Sequence, residues 1–224
     1  MRRSFRTAIS TFLFLFACES VSDPNIANAK SSAESTDVEV QGFPPSAVEG
    51  DKGVAVFAGG CFWCVESEFD DVAGVQSAVS GYTGGSEQNP TYGKVSSKLT
   101  GHAEAVRVVY DPNVVTYAEL LDLFWRNIDP FQANGQFCDL GKPYRSGVFF
   151  QDETQKALAE STRDEVAARF GKDVVTEVTQ GETFWLAEEY HQDFHRKNPA
   201  HYQRYRKGCG RDRRLTELWG DNEH

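Results

Sequence analysis

The chain has 224 residues, of which 40% are apolar and 16 are Phe, and its formal net charge is −10. This length and composition accommodate one globular domain with a sizeable core, together with an extension. The acidic balance argues against a nucleic-acid partner, because phosphate binding needs a basic surface.

The N-terminus has the pattern of an export signal. Three arginines among the first six residues precede the apolar run 8–17, which is too short to span a bilayer as a helix. The sequence "LFAC", ending at Cys18, resembles a bacterial lipoprotein signal in which that cysteine carries a lipid anchor. The sequence "ANA" at 27–29 is instead typical of a small-x-small cleavage site. Both endings stay open, as does an N-terminus that is no signal at all.

These patterns define three regions. We assign residues 1–18 to the export signal and 19–52 to a polar tether. Residues 53–224 form the folded domain with its C-terminal tail. We expect the protein to be exported, either to the periplasm or to a lipid-anchored position at the bacterial cell envelope.

Apolar runs and helical spacings alternate in the folded domain. Strands are predicted at 54–58, 75–82, 103–110, 146–150 and 173–179. A helix follows Cys61, a capping box at Thr116 opens a second helix, and Asp152 opens a third that ends at Gly171.

This order of elements, β-α-β-β-α-β followed by α-β, predicts an α+β fold. We expect a two-layer sandwich with a mixed sheet and a ferredoxin-like core. The aromatic and charged C-terminal tail is expected to be irregular, with a short helix after Pro199.

The five cysteines include one C-x-x-C pair, Cys61 and Cys64, in "GGCFWCVE". Cys61 follows two glycines at a strand-to-helix junction, where a helix N-terminus favours a thiolate. Structural zinc usually needs four ligands, and the other cysteines and histidines supply no second pair at a suitable spacing. One alternative is a thiol-disulfide oxidoreductase that uses Cys61 and Cys64. The other alternative is that both cysteines are inert and only structural.

Five blocks occur in order along the chain and together resemble the A-type peptide methionine sulfoxide reductases. They are "GCFWCVE", "GYTGG", "TGHAEAV", "CDLGKPYRS" and "AEEYHQDF". The resemblance implies reduction of methionine S-sulfoxide, free or in proteins, as a repair of oxidative damage. It also implies an α+β fold with no metal or organic cofactor, and a thioredoxin-like dithiol protein as the reductant.

The resemblance assigns roles to particular residues. Cys61 matches the family nucleophile, Glu104 the acid, and Asp139 an aspartate that helps to hold the site. Tyr82 and Tyr144 match the two phenols that hydrogen-bond to the sulfoxide oxygen. The aromatic side chains inside the C-x-x-C match the recess for the substrate methyl group, and they are Phe62 and Trp63. An electrophilic sulfoxide needs a thiolate on one side and a proton donor on the other.

The thiol that resolves a sulfenic acid on Cys61 is open among three cysteines. We expect Cys209 to be the main resolving thiol, because glycines on both sides allow a mobile tail and nearby cations lower a thiol pKa. Cys64 is the second choice, and Cys138 the third, because the turn beside it is expected to fix its direction.

Overall fold

The computed structural model describes residues 40–220. Its strands are β1 (Gly42–Phe43), β2 (Val48–Glu49), β3 (Lys52–Gly59), β4 (Val75–Thr83), β5 (Ala103–Tyr110), β6 (Gly135–Gln136), β7 (Asp139–Leu140), β8 (Ser146–Phe150), β9 (Glu177–Gln180) and β10 (Phe184–Leu186). Its α-helices are α1 (Phe62–Phe69), α2 (Tyr92–Ser96), α3 (Tyr117–Arg126), α4 (Glu153–Phe170), α5 (Phe194–Lys197), α6 (Pro199–Cys209) and α7 (Arg211–Trp219). Two single-turn 3-10 helices lie at Lys142–Tyr144 and Glu189–His191.

The main sheet is mixed and has the order β1-β10-β4-β5-β3-β8-β9, with β2 paired to β3. Its central strands β4-β5-β3-β8 are antiparallel and are linked as β-α-β-β-α-β through α1 and α3. That order and linkage are those of a ferredoxin-like core. β9 extends the sheet in parallel beside β8. The predicted α+β fold is confirmed.

Alternation along β3 separates two hydrophobic clusters on the two faces of the sheet. Ala55 and Phe57 face the larger cluster, which contains buried residues of α1, α3, α4 and α7. Val54 and Val56 belong to a smaller cluster on the opposite face. The rings of Phe57 and Phe124 stack with centroids 5.0 Å apart, which fixes α3 on the sheet. The helical layer therefore covers one face, as a two-layer sandwich requires.

Local capping determines where the two long helices begin and end. Thr116 and Glu119 form the predicted capping box at the start of α3. The Asp152 side chain accepts a 2.8 Å hydrogen bond from the Gln155 backbone N–H at the start of α4. Gly171 ends that helix in the left-handed conformation, at φ 62°.

The sheet extends into the predicted tether, 19–52. Gly42 and Phe43 pair with β10, and Val48 and Glu49 pair with β3. The ordered domain thus begins before residue 53. The predicted signal, its cleavage sites and Cys18 lie outside the described residues.

The C-terminal tail is helical where an irregular segment was expected. α6 begins after Asn198 with Pro199 in its first turn, which confirms the short helix predicted there. Leu215 and Trp219 of α7 are 0% and 5% exposed and pack into the larger core cluster. Burial of this apolar stripe stabilises the tail against the domain. Between residues 40 and 220, no helix combines the length and hydropathy that a membrane span needs.

Candidate active site

Two glycines bring the first cysteine of the C-x-x-C pair to the start of α1. Gly60 has a φ of +85°, and a Cβ there would lie 2.7 Å from Cβ of Gln136. Only glycine therefore permits both the turn and the close packing. Cys61 is the N-cap residue of α1, which confirms its predicted place at a strand-to-helix junction.

Cys61 and Cys64 are both buried, 6% and 1% exposed, and neither is in a disulfide. A hydrogen bond from Cys61 lowers the pKa of Cys64 to about 7. Burial raises the pKa of Cys61 well above its ordinary value, and the neighbouring Cys64 adds to the effect. The expected thiolate-stabilising effect of the helix start at Cys61 is thus outweighed by burial. The pair loses its first proton near neutral pH and keeps the second between the two sulfurs.

Glu104 opens β5 opposite this helix start and is 2% exposed. The backbone N–H of Phe62 donates a 3.0 Å hydrogen bond to its Oε2. Burial raises the pKa of Glu104 to about 8, against the opposing effect of that hydrogen bond. The carboxyl group therefore carries a proton at neutral pH, as the sequence analysis expected of an acid.

A small cavity of about 60 Å³ lies over Cys61. Its walls are Cys61, Phe62, Trp63, Tyr92, Glu104, Asp139, Tyr144 and Tyr205. Six of the nine predicted site residues line it: the nucleophile, the acid, the aspartate, one phenol and both aromatic residues. Cys64, Cys209 and Tyr82 do not.

The two aromatic residues of the C-x-x-C are held by stacking. Trp63 stacks on Phe194 with ring centroids 3.7 Å apart, and its edge meets Tyr205 at 5.8 Å. The Trp63 Nε1–H donates a 3.1 Å hydrogen bond to Nδ1 of His191. Burial lowers the pKa of His191 to about 4, so this histidine is neutral and structural. The result is a fixed apolar wall beside Cys61, which suits a methyl group on sulfur.

The phenol at position 82 is in a different place from the one expected. Tyr82 is 0% exposed, lies beneath Phe62 and donates a 2.7 Å hydrogen bond to Oε2 of Glu188. The cavity is lined instead by Tyr92, Tyr144 and Tyr205. The geometry therefore does not place the Tyr82 side chain in the cavity, which Tyr92 lines beside Tyr144.

Glu188 links the predicted tyrosine to the one that the sequence analysis missed. Its Oε2 accepts from the Tyr82 hydroxyl, and its Oε1 accepts a 2.8 Å hydrogen bond from the Tyr92 backbone N–H. α2 has only five residues, so this contact holds the first turn that carries the Tyr92 ring. Burial raises the pKa of Tyr92 to about 12, so its phenol is a hydrogen-bond donor at neutral pH.

Cys209 forms a disulfide with Cys138, with a Cα–Cα distance of 5.0 Å and a sequence separation of 71. The expectation that Cys209 lies on a mobile tail free to reach Cys61 is therefore wrong for this state of the chain. α6 is a docked helix, and Cys209 is its last residue. Cys138 lies near the site as expected, because it directly precedes Asp139. The Asp139 carboxylate accepts a hydrogen bond from Tyr205 of α6.

Two groups of side chains in the described part of the chain bring three metal-type ligand atoms within 4.8 Å of one another. They are Cys138, Asp139 and Cys209, and Glu66, Asp70 and His195. The two sulfurs of the first group are joined to each other. In the second group, Glu66 accepts hydrogen bonds from Ser80 and from the Asp193 N–H, and Arg196 approaches Asp70 to 3.4 Å. The disulfide thus occupies both sulfurs of the first group. In the second group, hydrogen bonds satisfy Glu66 and Arg196 neutralises Asp70, whereas the ring nitrogens of His195 have no hydrogen-bond partner among the described residues.

The cavity brings a buried thiol pair, a protonated carboxyl group and phenol donors together around a small aromatic recess. These features define a thiol enzyme that reduces a small polar group carried on an apolar side chain. A family model described as peptide methionine sulfoxide reductase matches residues 53–223. The chain belongs to the peptide methionine sulfoxide reductase family, and it is an enzyme that reduces methionine sulfoxide.

Curated relatives agree with this assignment over nearly their whole length. Peptide methionine sulfoxide reductase MsrA of Bacillus subtilis (strain 168) is 50% identical over 171 residues, which is 75% of this chain and 97% of the relative. MsrA 2 of Caulobacter vibrioides is 50% identical over 167 residues, which is 74% of this chain and 85% of the relative.

Solved structures show the same fold. Mxr1 from Saccharomyces cerevisiae in reduced form superposes with a TM-score of 0.64 at 31% identity, covering 68% of this chain and 88% of that one. Methionine sulfoxide reductase A of Corynebacterium diphtheriae gives a TM-score of 0.61 at 30% identity, covering 69% and 78%.

Proposed function

We propose that Cys61 attacks the sulfur of methionine S-sulfoxide while Glu104 gives its proton to the sulfoxide oxygen. The oxygen ends on Cys61 as a sulfenic acid, and methionine leaves as a thioether. The sulfoxide gains two electrons and Cys61 loses two. The observation that carries this proposal is the meeting of the buried Cys61 and the buried, protonated Glu104 in one cavity.

Cys64 supports the attack as the proton acceptor for Cys61. Its pKa of about 7 and its hydrogen bond with Cys61 suit that exchange. The Tyr92 and Tyr144 hydroxyls donate to the sulfoxide oxygen, where negative charge develops as its bond to sulfur lengthens. The Phe62 and Trp63 rings receive the methyl group, and Asp139 orders the opposite wall through Tyr205.

We place Cys64 as the first resolving thiol. It is the free thiol already hydrogen-bonded to Cys61, whereas Cys209 is bonded to Cys138. Cys64 attacks the sulfenic sulfur, the S–O bond breaks, and the oxygen leaves as water with the proton that Cys64 took from Cys61. When Cys138 and Cys209 are both reduced, the Cys209 thiolate next attacks Cys64 of the Cys61–Cys64 disulfide, and Cys138 then attacks Cys209. Two electrons pass from Cys138 and Cys209 to the first pair, which leaves the Cys138–Cys209 disulfide. α6 brings Tyr202 against Cys64, so the helix that carries Cys209 already contacts the first pair.

The physiological reductant in this proposal is a thioredoxin-like dithiol protein on the same side of the membrane as the enzyme. Export remains our proposal for the location, supported by the arginines and the apolar run at the N-terminus. Mass spectrometry of the mature chain tests it. Loss of residues 1–17 with a lipid on Cys18, or a start at Lys30, is expected, and an intact Met1–Phe16 segment would contradict export.

The general thiol-disulfide exchanger is the less favoured function, because a buried Cys61–Cys64 pair is poorly accessible to a protein disulfide.

One assay tests the proposed function against this alternative. Reduced protein is mixed with purified S- and R-methionine sulfoxide, without added reductant, and the formation of methionine is measured. Formation of methionine from the S epimer alone supports the proposal. No methionine from either epimer, with rapid reduction of a protein disulfide, would establish the exchanger instead.

A further inference from the structure

The two sulfurs of the Cys138–Cys209 disulfide differ in their access to solvent. Cys138 is exposed on the hairpin formed by β6 and β7. Cys209 is half-buried at the end of α6. A thiolate attacks a disulfide along the S–S axis, so it must reach one sulfur from outside. Access therefore favours attack at Cys138.

Hydrogen bonding favours the same direction independently. The backbone N–H of Cys138 donates a 3.1 Å hydrogen bond to Sγ of Cys209. A donor that already points at a sulfur stabilises the thiolate formed there, and a stabilised thiolate leaves faster. Asp139 does not discriminate, because its carboxylate oxygens lie 3.9 Å from each sulfur. Cys209 is thus the better leaving group of the two.

An exposed apolar side chain lies on the same hairpin as the accessible sulfur. Leu140 is 64% exposed in β7, two residues after Cys138. A protein partner that covers Leu140 removes apolar surface from water and brings its own thiol close to the disulfide. The occupant that fits is a dithiol protein with an apolar rim around its attacking cysteine.

We propose that a dithiol protein reductant docks on the Leu140 hairpin and attacks Sγ of Cys138, releasing Cys209 as the first free thiolate. This rests on the proposed function, in which the disulfide is the last of the relay. The attacking thiolate forms a mixed disulfide with Cys138 as the Cys138–Cys209 bond breaks. The second thiol of the reductant then attacks its own bonded sulfur, frees Cys138 and leaves the reductant as a disulfide. Two electrons and two protons pass to the enzyme.

The test uses the full chain with Cys18, Cys61 and Cys64 replaced by serine, so that the disulfide is isolated. The probe is a thioredoxin whose second active-site cysteine is serine, which stops the reaction at the mixed disulfide. Peptide mapping is expected to find the adduct on Cys138. An adduct on Cys209 would overturn the proposal. The absence of any adduct, in protein whose disulfide dithiothreitol reduces, would also overturn it.

A second measurement separates docking from chemistry. Leu140→Glu in the otherwise native chain is expected to slow thioredoxin reduction of the disulfide by about fivefold or more, with the dithiothreitol rate unchanged. Val114→Glu is the control, because Val114 is similarly exposed, at 61%. It lies after the C-terminal end of β5, whereas Glu104 lies at the N-terminal end of that strand. If thioredoxin reduced the disulfide at the same rate in the native chain, Leu140→Glu and Val114→Glu, that result would contradict a docking role for Leu140. Sulfoxide turnover with dithiothreitol reports on the proposed function separately.

Discussion

The Phe62 backbone N–H donates a 3.0 Å hydrogen bond to Oε2 of Glu104, which ties the acid to the first turn of the helix that begins at Cys61. β5 supplies the carboxyl group and α1 supplies the sulfur, so one contact fixes the two reacting groups relative to each other. Because Glu104 is buried as well as tethered, its carboxyl group keeps its proton near neutral pH.

Glu104→Gln is expected to slow the first turnover by about 10²-fold or more, because the amide cannot give a proton to the sulfoxide oxygen. Burial raises the pKa of Glu104 to about 8, so the native rate falls as the pH rises through that value. Rapid-quench single turnovers between pH 6 and pH 10, a range chosen to bracket the transition, measure both effects. An unchanged rate in the variant would transfer the acid role to Tyr92 or Tyr144.

The same substitution is expected to change how stability depends on pH. Folded Glu104 holds a proton up to about pH 8, whereas the unfolded group loses it near its ordinary value of 4.5. Between these two pH values the folded state binds more protons than the unfolded state. The ionisation of Glu104 therefore lowers the free energy of unfolding as the pH rises from one value to the other. The free energy of unfolding of Glu104→Gln, relative to the native chain, increases by up to about 1.4 kcal/mol per pH unit there. Urea titrations at several pH values measure it, and parallel curves for the two proteins would contradict the raised pKa.

Tyr92→Phe and Tyr82→Phe form a matched pair. Each removes one hydroxyl group, but only the Tyr92 phenol lines the cavity, whereas the Tyr82 hydroxyl is bonded to Glu188. We expect Tyr92→Phe to lower the single-turnover rate by about tenfold or more, and Tyr82→Phe to change it much less. A larger loss in Tyr82→Phe, with its fold intact by circular dichroism, would restore Tyr82 to the substrate site.

Serine variants of the cysteines distinguish the steps of the relay. Cys209→Ser is expected to form a Cys61–Cys64 disulfide at the normal rate after one equivalent of sulfoxide, yet to lose thioredoxin-driven turnover. Cys64→Ser is expected to form the sulfenic acid on Cys61 more slowly, because the proton acceptor is gone, and then to accumulate it, because the first resolving thiol is gone. Peptide mapping of each variant identifies the disulfides. A Cys61–Cys209 linkage as the first disulfide of the native chain would contradict this order.

Periodicity along the chain was enough to predict the core of the fold. The apolar run of β3, the spacing of apolar residues in α3 and the caps at Thr116 and Asp152 are local features, and each one indicates a particular strand or helix. The helical tail was harder to predict, because α6 and α7 are rich in charge and gain their stability from packing of Leu215 and Trp219 on the domain.

The parts of the site that sequence reasoning missed depend on distant contacts. Tyr92 lies on a five-residue helix without apolar periodicity, and Glu188, which holds it, is 96 residues further along. The tyrosine in "GYTGG" lies on a strand paired with Glu104, which places it near the acid but under the cavity floor. The Cys138–Cys209 disulfide joins residues at a sequence separation of 71, and no local pattern specifies that pairing.

The oxidation state of Cys61 after one turnover tests the central claim most directly. The full chain with Cys64, Cys138 and Cys209 replaced by serine is reduced, mixed with one equivalent of methionine S-sulfoxide and trapped with dimedone, which labels sulfenic acids. We predict one methionine formed per labelled Cys61, with neither product when Cys61 is also replaced by serine. Methionine formed without a label on Cys61, or formed by the variant that lacks Cys61, would contradict attack by this sulfur.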